Sequence, residues 1–268
     1  MEESLEAAKK LVTDEAVNAA VLADKGPDAK VLSWHIQDFT KYGDNFATIV
    51  TCIKVKALIN GNEENLSYVT KLNPCREAVA WNQMTAPIFE HEIVFFTKIA
   101  SHINNYLKDP LRIPTCYYSS MESGKEILIN NDLRENGFKM TDKKQGMDFD
   151  HITLLVNELA RMHAGGYLTI KESSHEKILS QYPIIKDDLF LQDEDHLGMK
   201  MFDGLMQNQI NIILKILETF PDYEDVSKWI NSWRHEWRSV FSKVILDVPD
   251  AFKVFTHGDC WNNNFIFR

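Results

Sequence analysis

The stretch Phe255-Thr256-His257-Gly258-Asp259-Cys260-Trp261-Asn262-Asn263-Asn264 gathers several groups that could do chemistry. The carboxylate of Asp259 follows the imidazole of His257 by two residues, and the amide of Asn264 comes five residues later. A carboxylate can orient a hydroxyl and accept its proton. An amide oxygen beside it can serve as a ligand for a hard cation such as magnesium. Phosphoryl transfer needs both, because its catalysis is almost entirely positioning and charge stabilisation. His, Gly, Asp and Asn are also ordinary turn residues. The pattern therefore draws its weight from the elements around it and from partners elsewhere in the chain.

Those elements can be read from the periodicities. Ser4 to Ala23 is rich in Ala, Glu, Leu and Lys and predicts a helix, which Gly26-Pro27 ends. Lys30 to Phe39 is extended, and Lys41-Tyr42-Gly43-Asp44-Asn45 is a turn. Ala47, Ile49, Thr51, Ile53, Val55 and Ala57 then alternate with polar residues, as in a half-buried strand. Asn60-Gly61 signals a hairpin, and Leu66 to Leu72 returns, so residues 30–72 predict an antiparallel sheet. A helix is expected over Ala86 to Tyr106, with Pro87 in its first turn. Ile113 to Tyr118 and Glu126 to Ile129 read as two further strands. From Phe149 onward three helical stripes follow: Ile152 to Met162, Met199 to Ile216, and Val226 to Val244 with Trp229, Trp233 and Trp237. Ala251 to Thr256 is short and extended and leads into the polar loop. The layout is that of an α+β protein with two lobes.

Two more residues fit the same chemistry. Lys71, in Tyr68-Val69-Thr70-Lys71-Leu72, shares a strand face with Val69. Kinases need a lysine on such a strand as a fixed charge for nucleotide phosphates. Glu92 lies on the long helix among Ile88, Phe89, Phe95 and Phe96, an apolar setting costly for an unpaired carboxylate. A Lys71–Glu92 ion pair would account for it, with Glu90 as the competing carboxylate. His163, on the stripe with Leu159 and Val156, reads as a structural histidine.

Composition narrows the partners. The 268 residues carry 29 Lys plus Arg against 39 Asp plus Glu, a net charge of −10 that disfavours nucleic-acid binding. The four cysteines, Cys52, Cys75, Cys116 and Cys260, form no C-x-x-C pair, which fits a reducing compartment and argues against a zinc site. An acidic N-terminus and the lack of a long apolar run predict a cytoplasmic protein without a membrane span.

His257, Asp259 and Asn264 have the H-x-D-x-x-x-x-N form of a kinase catalytic loop, with Gly258 where protein kinases have Arg. The fuller pattern His-Gly-Asp-x-Trp-x-Asn-Asn is met by His257, Gly258, Asp259, Trp261, Asn263 and Asn264. It resembles the catalytic loop of the insect ecdysteroid kinase-like family, relatives of choline kinase and the aminoglycoside phosphotransferases. The resemblance covers almost all of residues 30–268 and implies a two-lobed protein-kinase-like fold. Residues 1–130 would form the nucleotide-binding lobe with a preceding helix. Residues 131–268 would form the helical lobe, ending just after the catalytic loop. ATP and Mg2+ are implied as cofactors, and a small hydroxylated molecule, an ecdysteroid or another lipid or xenobiotic, as acceptor. Within this frame Asp259 is the base or hydroxyl-orienting group, His257 braces the loop, and Asn264 binds magnesium. Lys71, held by Glu92, positions the phosphates beneath a turn at Gly43, Asp44 and Asn45. Asn131, Asp132 and Leu133 form a hinge whose main chain takes the adenine, with Asn131 where the family usually has Glu. The family's second magnesium-binding Asp is expected beyond Arg268. The alternative is therefore a non-catalytic pseudokinase or a truncated nucleotide- or ligand-binding protein.

Overall fold

The computed structural model describes residues 2–38, 48–186, 193, 195–245 and 252–268. Two helices come first, α1 (Glu2–Lys9) and α2 (Asp14–Lys25), where the composition suggested one. Thr13 divides them. Its backbone is extended, and its side chain accepts a hydrogen bond from the Ala16 N–H, capping α2.

Five strands form one antiparallel sheet in the order β1-β2-β3-β5-β4. They are β1 (Lys30–Gln37), β2 (Ile49–Ile59), β3 (Asn62–Leu72), β4 (Cys116–Ser120) and β5 (Ile127–Asn131). The β2–β3 hairpin closes on Asn60 and Gly61, both left-handed at φ 50° and 83°, the turn whose twist matches that of paired strands. Alternation gives the sheet two faces. Ile53, Val55, Ala57, Tyr68, Leu72, Ile127 and Ile129 lie on the back, covered by Ala16, Val17, Ala20 and Val21 of α2. Cys52, Val69, Lys71, Leu128 and Asn130 share the front, as the ladder register requires.

The front face meets the long helix. It runs as α3 (Val79–Val94), a π-helical turn over Phe95–Ile99, and α4 (Ala100–Asn104). Phe89 and Ile93 of α3 pack on Leu128. The helix begins seven residues before the expected start, so Pro87 lies inside it rather than in its first turn. Burial of Met84 and Thr85 holds the extra turns in place, and proline's preference for a first turn is overridden.

The second half is helical: α5 (Phe149–Ser173), α6 (His175–Gln181), α7 (Leu197–Leu217), α8 (Glu224–Trp233) and α9 (Trp237–Ile245). The tryptophan stripe thus spans two helices, with Trp237 buried and Trp229 exposed. Ile99, Ile103, Leu111, Met162, Ile178 and Tyr182 make a separate core that joins α4, α5 and α6, and Phe255 packs against it. This is a mixed α and β architecture, that of a kinase-like two-lobed fold. Among the described residues no helix is long and apolar enough to cross a membrane.

Candidate functional site

Lys71 stands near the end of β3, on the front face. Its Nζ donates to both carboxylate oxygens of Glu92 on α3, at 2.7 and 2.8 Å. The register fixes one partner and the packing of Phe89 and Ile93 on Leu128 fixes the other. Lys71 lies opposite Leu128, so helix and lysine meet at the same rung. Of the two carboxylates open to the sequence reading, Glu92 makes the bond. The π-helical turn starts three residues later, and Thr97 Oγ1 donates to the Ile93 carbonyl at 2.7 Å within it. Such widened turns are frequent at functional sites.

The residues that the sequence suggested as a hinge, Asn131, Asp132 and Leu133, begin on the last residue of β5. The Asn131 side chain accepts from the Thr115 N–H at 2.9 Å, which ties strand end to strand end. Asp132 is buried and caps a 3-10 turn over Leu133–Asn136. Its carboxylate takes two bonds from Arg134, at 2.8 and 2.7 Å, and one from Ser67 Oγ at 2.6 Å. Burial pushes this carboxyl up, but the hydrogen bonds from Arg134 and Ser67 outweigh it and hold the group below its ordinary range. Lys54 extends the network, donating to Ser67 Oγ and pairing with Glu135 at 3.0 Å. Gln37, Cys52, Lys54, Asp132, Arg134 and Glu135 line a cavity of about 260 Å³. The sequence reading did not single out Ser67, Lys54 or Arg134. Only their shared strand face and the turn after Asp132 bring them together.

The loop around Asp259 is held from within. Gly258 has φ 77°, a conformation that a side chain would strain. The Asp259 N–H donates to His257 Nδ1 at 3.2 Å, and the His257 ring packs 5.5 Å from that of Phe265. Asn264 Nδ2 donates to the Asp259 main-chain oxygen at 2.9 Å and to Oδ2 at 2.7 Å. His257, Asp259 and Asn264 are thus in mutual contact through Asp259, and the Asn264 Oδ1 is the atom that could take a cation. Burial and the Asp259 charge push the neighbouring Cys260 thiol up.

Two further contacts attach this loop to the hinge side. Thr141 Oγ1 donates to Asn262 Oδ1 at 2.5 Å. Lys139 and Phe267 exchange main-chain bonds at 2.8 Å. The Asp259 loop and the hinge therefore hang on one stretch, residues 131–141. A larger cavity of about 430 Å³ is lined by Lys139, Thr141, Asp148, His151 and Phe267, among others. On the other side of the loop Phe255 lies against Gly166 of α5, where a Cβ would come within 3.3 Å of the Phe255 nitrogen.

No hydrogen bond or ion pair among the described residues joins the Lys71–Glu92 pair to the Asp259–Asn264 pair. Gly43, Asp44 and Asn45 lie outside the described residues. His163 is half-buried on α5. The described residues include no group of three or more His, Cys, Asp or Glu that could hold a metal. Asn264 Oδ1 offers one neutral oxygen, and a magnesium ion held there would take its other ligands from waters and phosphate oxygens.

No curated protein and no solved structure was found to match the chain. The model of the ecdysteroid kinase-like family matches residues 42–268, a span that holds Lys71, Glu92, the hinge and the whole loop around Asp259. The chain belongs to the ecdysteroid kinase-like family, and its broad character is that of a kinase-type phosphotransferase.

Proposed function

We propose that the chain is an ATP-dependent phosphotransferase acting on a hydroxyl of a small molecule, an ecdysteroid or another hydroxylated lipid or xenobiotic. The observation that carries this reading is the two-point Lys71–Glu92 ion pair, which fixes a cation on the front face of the sheet. In phosphoryl transfer such a lysine meets the α- and β-phosphates. Residues 1–130 are then the nucleotide-binding lobe and residues 131–268 the lobe that brings the acceptor. Main-chain groups of Asn131, Asp132 and Leu133 take the adenine, and the 260 Å³ cavity beside them accommodates the base. The phosphate-covering role falls to Gly43, Asp44 and Asn45, which lie outside the described residues.

Asp259 orients the acceptor hydroxyl and takes its proton as the new O–P bond forms and the bond to the ADP oxygen breaks. Asn264 keeps the carboxylate in place through its Nδ2, and its Oδ1 would hold magnesium, which would supply neutralisation of charge on the phosphates. His257 keeps the loop in shape by accepting the Asp259 N–H.

The test is transfer of labelled phosphate from ATP across a panel of sterols and xenobiotics, with nucleotide binding measured in parallel. Wild type should transfer to at least one hydroxylated acceptor. Asp259→Asn should lose about 10²-fold or more in rate, as expected for a positioned base, while it still binds ATP. Binding without transfer to any acceptor would favour a nucleotide-holding protein without turnover. Absence of binding would overturn both.

A further inference from the structure

Asn130 stands on β5, one residue before the hinge, and is 7% exposed. Its Oδ1 is buried and has no hydrogen-bond partner. An amide oxygen left in that state costs on the order of 1–3 kcal/mol, so the position asks for a reason.

The sheet register places the side chain. Asn130 lies opposite Val69, Val69 opposite Cys52, and Cys52 opposite Gln37. Directly opposed residues of antiparallel strands point to the same face. The four side chains therefore form one row across the front, stepping about 4.8 Å per strand. Gln37 and Cys52, at one end, line the 260 Å³ cavity. Asn130 stands near the other end, beside Asn131–Leu133, and only Cys116 of the edge strand β4 lies beyond it. Lys71 lies on the same face of β3, two residues or about 7 Å along from Val69. A molecule with an ionic group at Lys71 and a flat polar ring over this row would reach the amide of Asn130.

We propose that Asn130 reads the base of the bound nucleotide. Its Oδ1 accepts from the exocyclic amine of adenine, and its Nδ2 donates to the adjacent ring nitrogen, N7. One amide meets those two atoms together, which is why Asn pairs with that edge of adenine wherever it is exposed. Guanine presents acceptors at both positions and leaves Oδ1 unpaired. The second torsion of Asn is broad, so the amide turns to meet the ring with little strain. The inference rests on the reading of the front face as a nucleotide site. It adds a specificity-determining side chain to main-chain recognition by the hinge.

Calorimetric titration of the full chain with ATP, 7-deaza-ATP and GTP tests it, for wild type and for Asn130→Leu. N7 is touched by none of the hinge groups invoked above, so the deaza analogue isolates Asn130. Wild type should bind ATP about tenfold more tightly than 7-deaza-ATP, and more tightly than GTP. In Asn130→Leu the ATP to 7-deaza-ATP ratio should fall to about one. Equal binding of ATP and 7-deaza-ATP by wild type would overturn the proposal and leave the nucleotide site standing. That comparison needs no variant, so it decides even if Asn130→Leu fails to fold. If wild type bound none of the three, the nucleotide reading itself would fail, and this inference with it.

Discussion

Both oxygens of Glu92 are taken up by Lys71, so changing either partner strands a charge on the front of the sheet. The pair is partly open to solvent, at 31% and 21% side-chain exposure, and should contribute less than about 1 kcal/mol to stability. Glu92→Gln should therefore melt close to wild type yet bind ATP several-fold more weakly, because the lysine loses its fixed position. Equal affinity in a titration would show that the ion pair does not serve nucleotide binding. Asp132 behaves differently. Its carboxyl is held below its ordinary range, so its bonds to Arg134 and Ser67 add stability above the unfolded carboxylate value of about 3.9, and that stability is lost as pH falls through the lower folded value. Denaturant melts from pH 6 to pH 2 should show a steeper loss for wild type than for Asp132→Asn. At pH 6 the variant should already be weaker, by about 2 kcal/mol. Identical pH slopes would remove Asp132 from the account. Lys71 and Glu92 were legible in the sequence because a lysine in a strand and a carboxylate on an apolar helix face each need a partner. Asn130 was not. Its one signal is an amide at the end of the apolar run Ile127-Leu128-Ile129, and that signal gains meaning only once the register shows which way it points.

Two neighbouring glycines set the spacing of the elements that carry the site. A Cβ at Gly165 would lie 2.7 Å from Ile103 Cγ2 and 2.9 Å from its carbonyl oxygen, so α4 and α5 touch through bare backbone. At Gly166 the crowding partner is Phe255, two residues before His257. One dipeptide thus meets the end of the Glu92-bearing helix and the chain entering the Asp259 loop. Gly165→Ala should cost about 1–3 kcal/mol by overpacking, because the carbonyl cannot step aside without moving the helix. Gly204 is the control: it is an exposed position of α7 with nothing within 4 Å of an added Cβ, and Gly204→Ala should gain up to about 1 kcal/mol. Thermal or urea melts of the two variants check the sign of each. The contrast was not legible in the sequence, where Gly204 lies inside one helical stripe and Gly165 three residues past the end of another. The strands were more readable, because a two-residue alternation and an Asn-Gly turn specify a hairpin locally. The helix starts were less so. Pro87 suggested a start that buried packing of Met84 and Thr85 overrides, and the Thr13 cap lies inside what composition alone reads as one helix.

On the scale of the whole molecule, the α2-covered sheet and the α4–α5–α6 core are well buried, while the later helices expose much apolar surface. Trp229 is 61% exposed, Ile216 53% and Ile213 45%. The stripes predicted from the sequence are real helical faces, but periodicity marks a face without saying what covers it. The native protein should therefore bind a hydrophobic dye under folding conditions, and polar substitution at Ile216 and Trp229 should reduce the signal. A native state with no dye binding would contradict the exposed faces described here. The nucleotide reading turns on the front face, where the fixed Lys71 and the buried amide of Asn130 share one side of the sheet. Its most direct test is a calorimetric titration of magnesium and ATP into wild type, Lys71→Met and Asp259→Asn, with melting curves to confirm that each is folded. Wild type should bind, Lys71→Met should bind about tenfold more weakly, equivalent to about 1.4 kcal/mol, and Asp259→Asn should bind as wild type does. A folded wild type that takes up no nucleotide, or a Lys71→Met protein that binds it equally well, would contradict it.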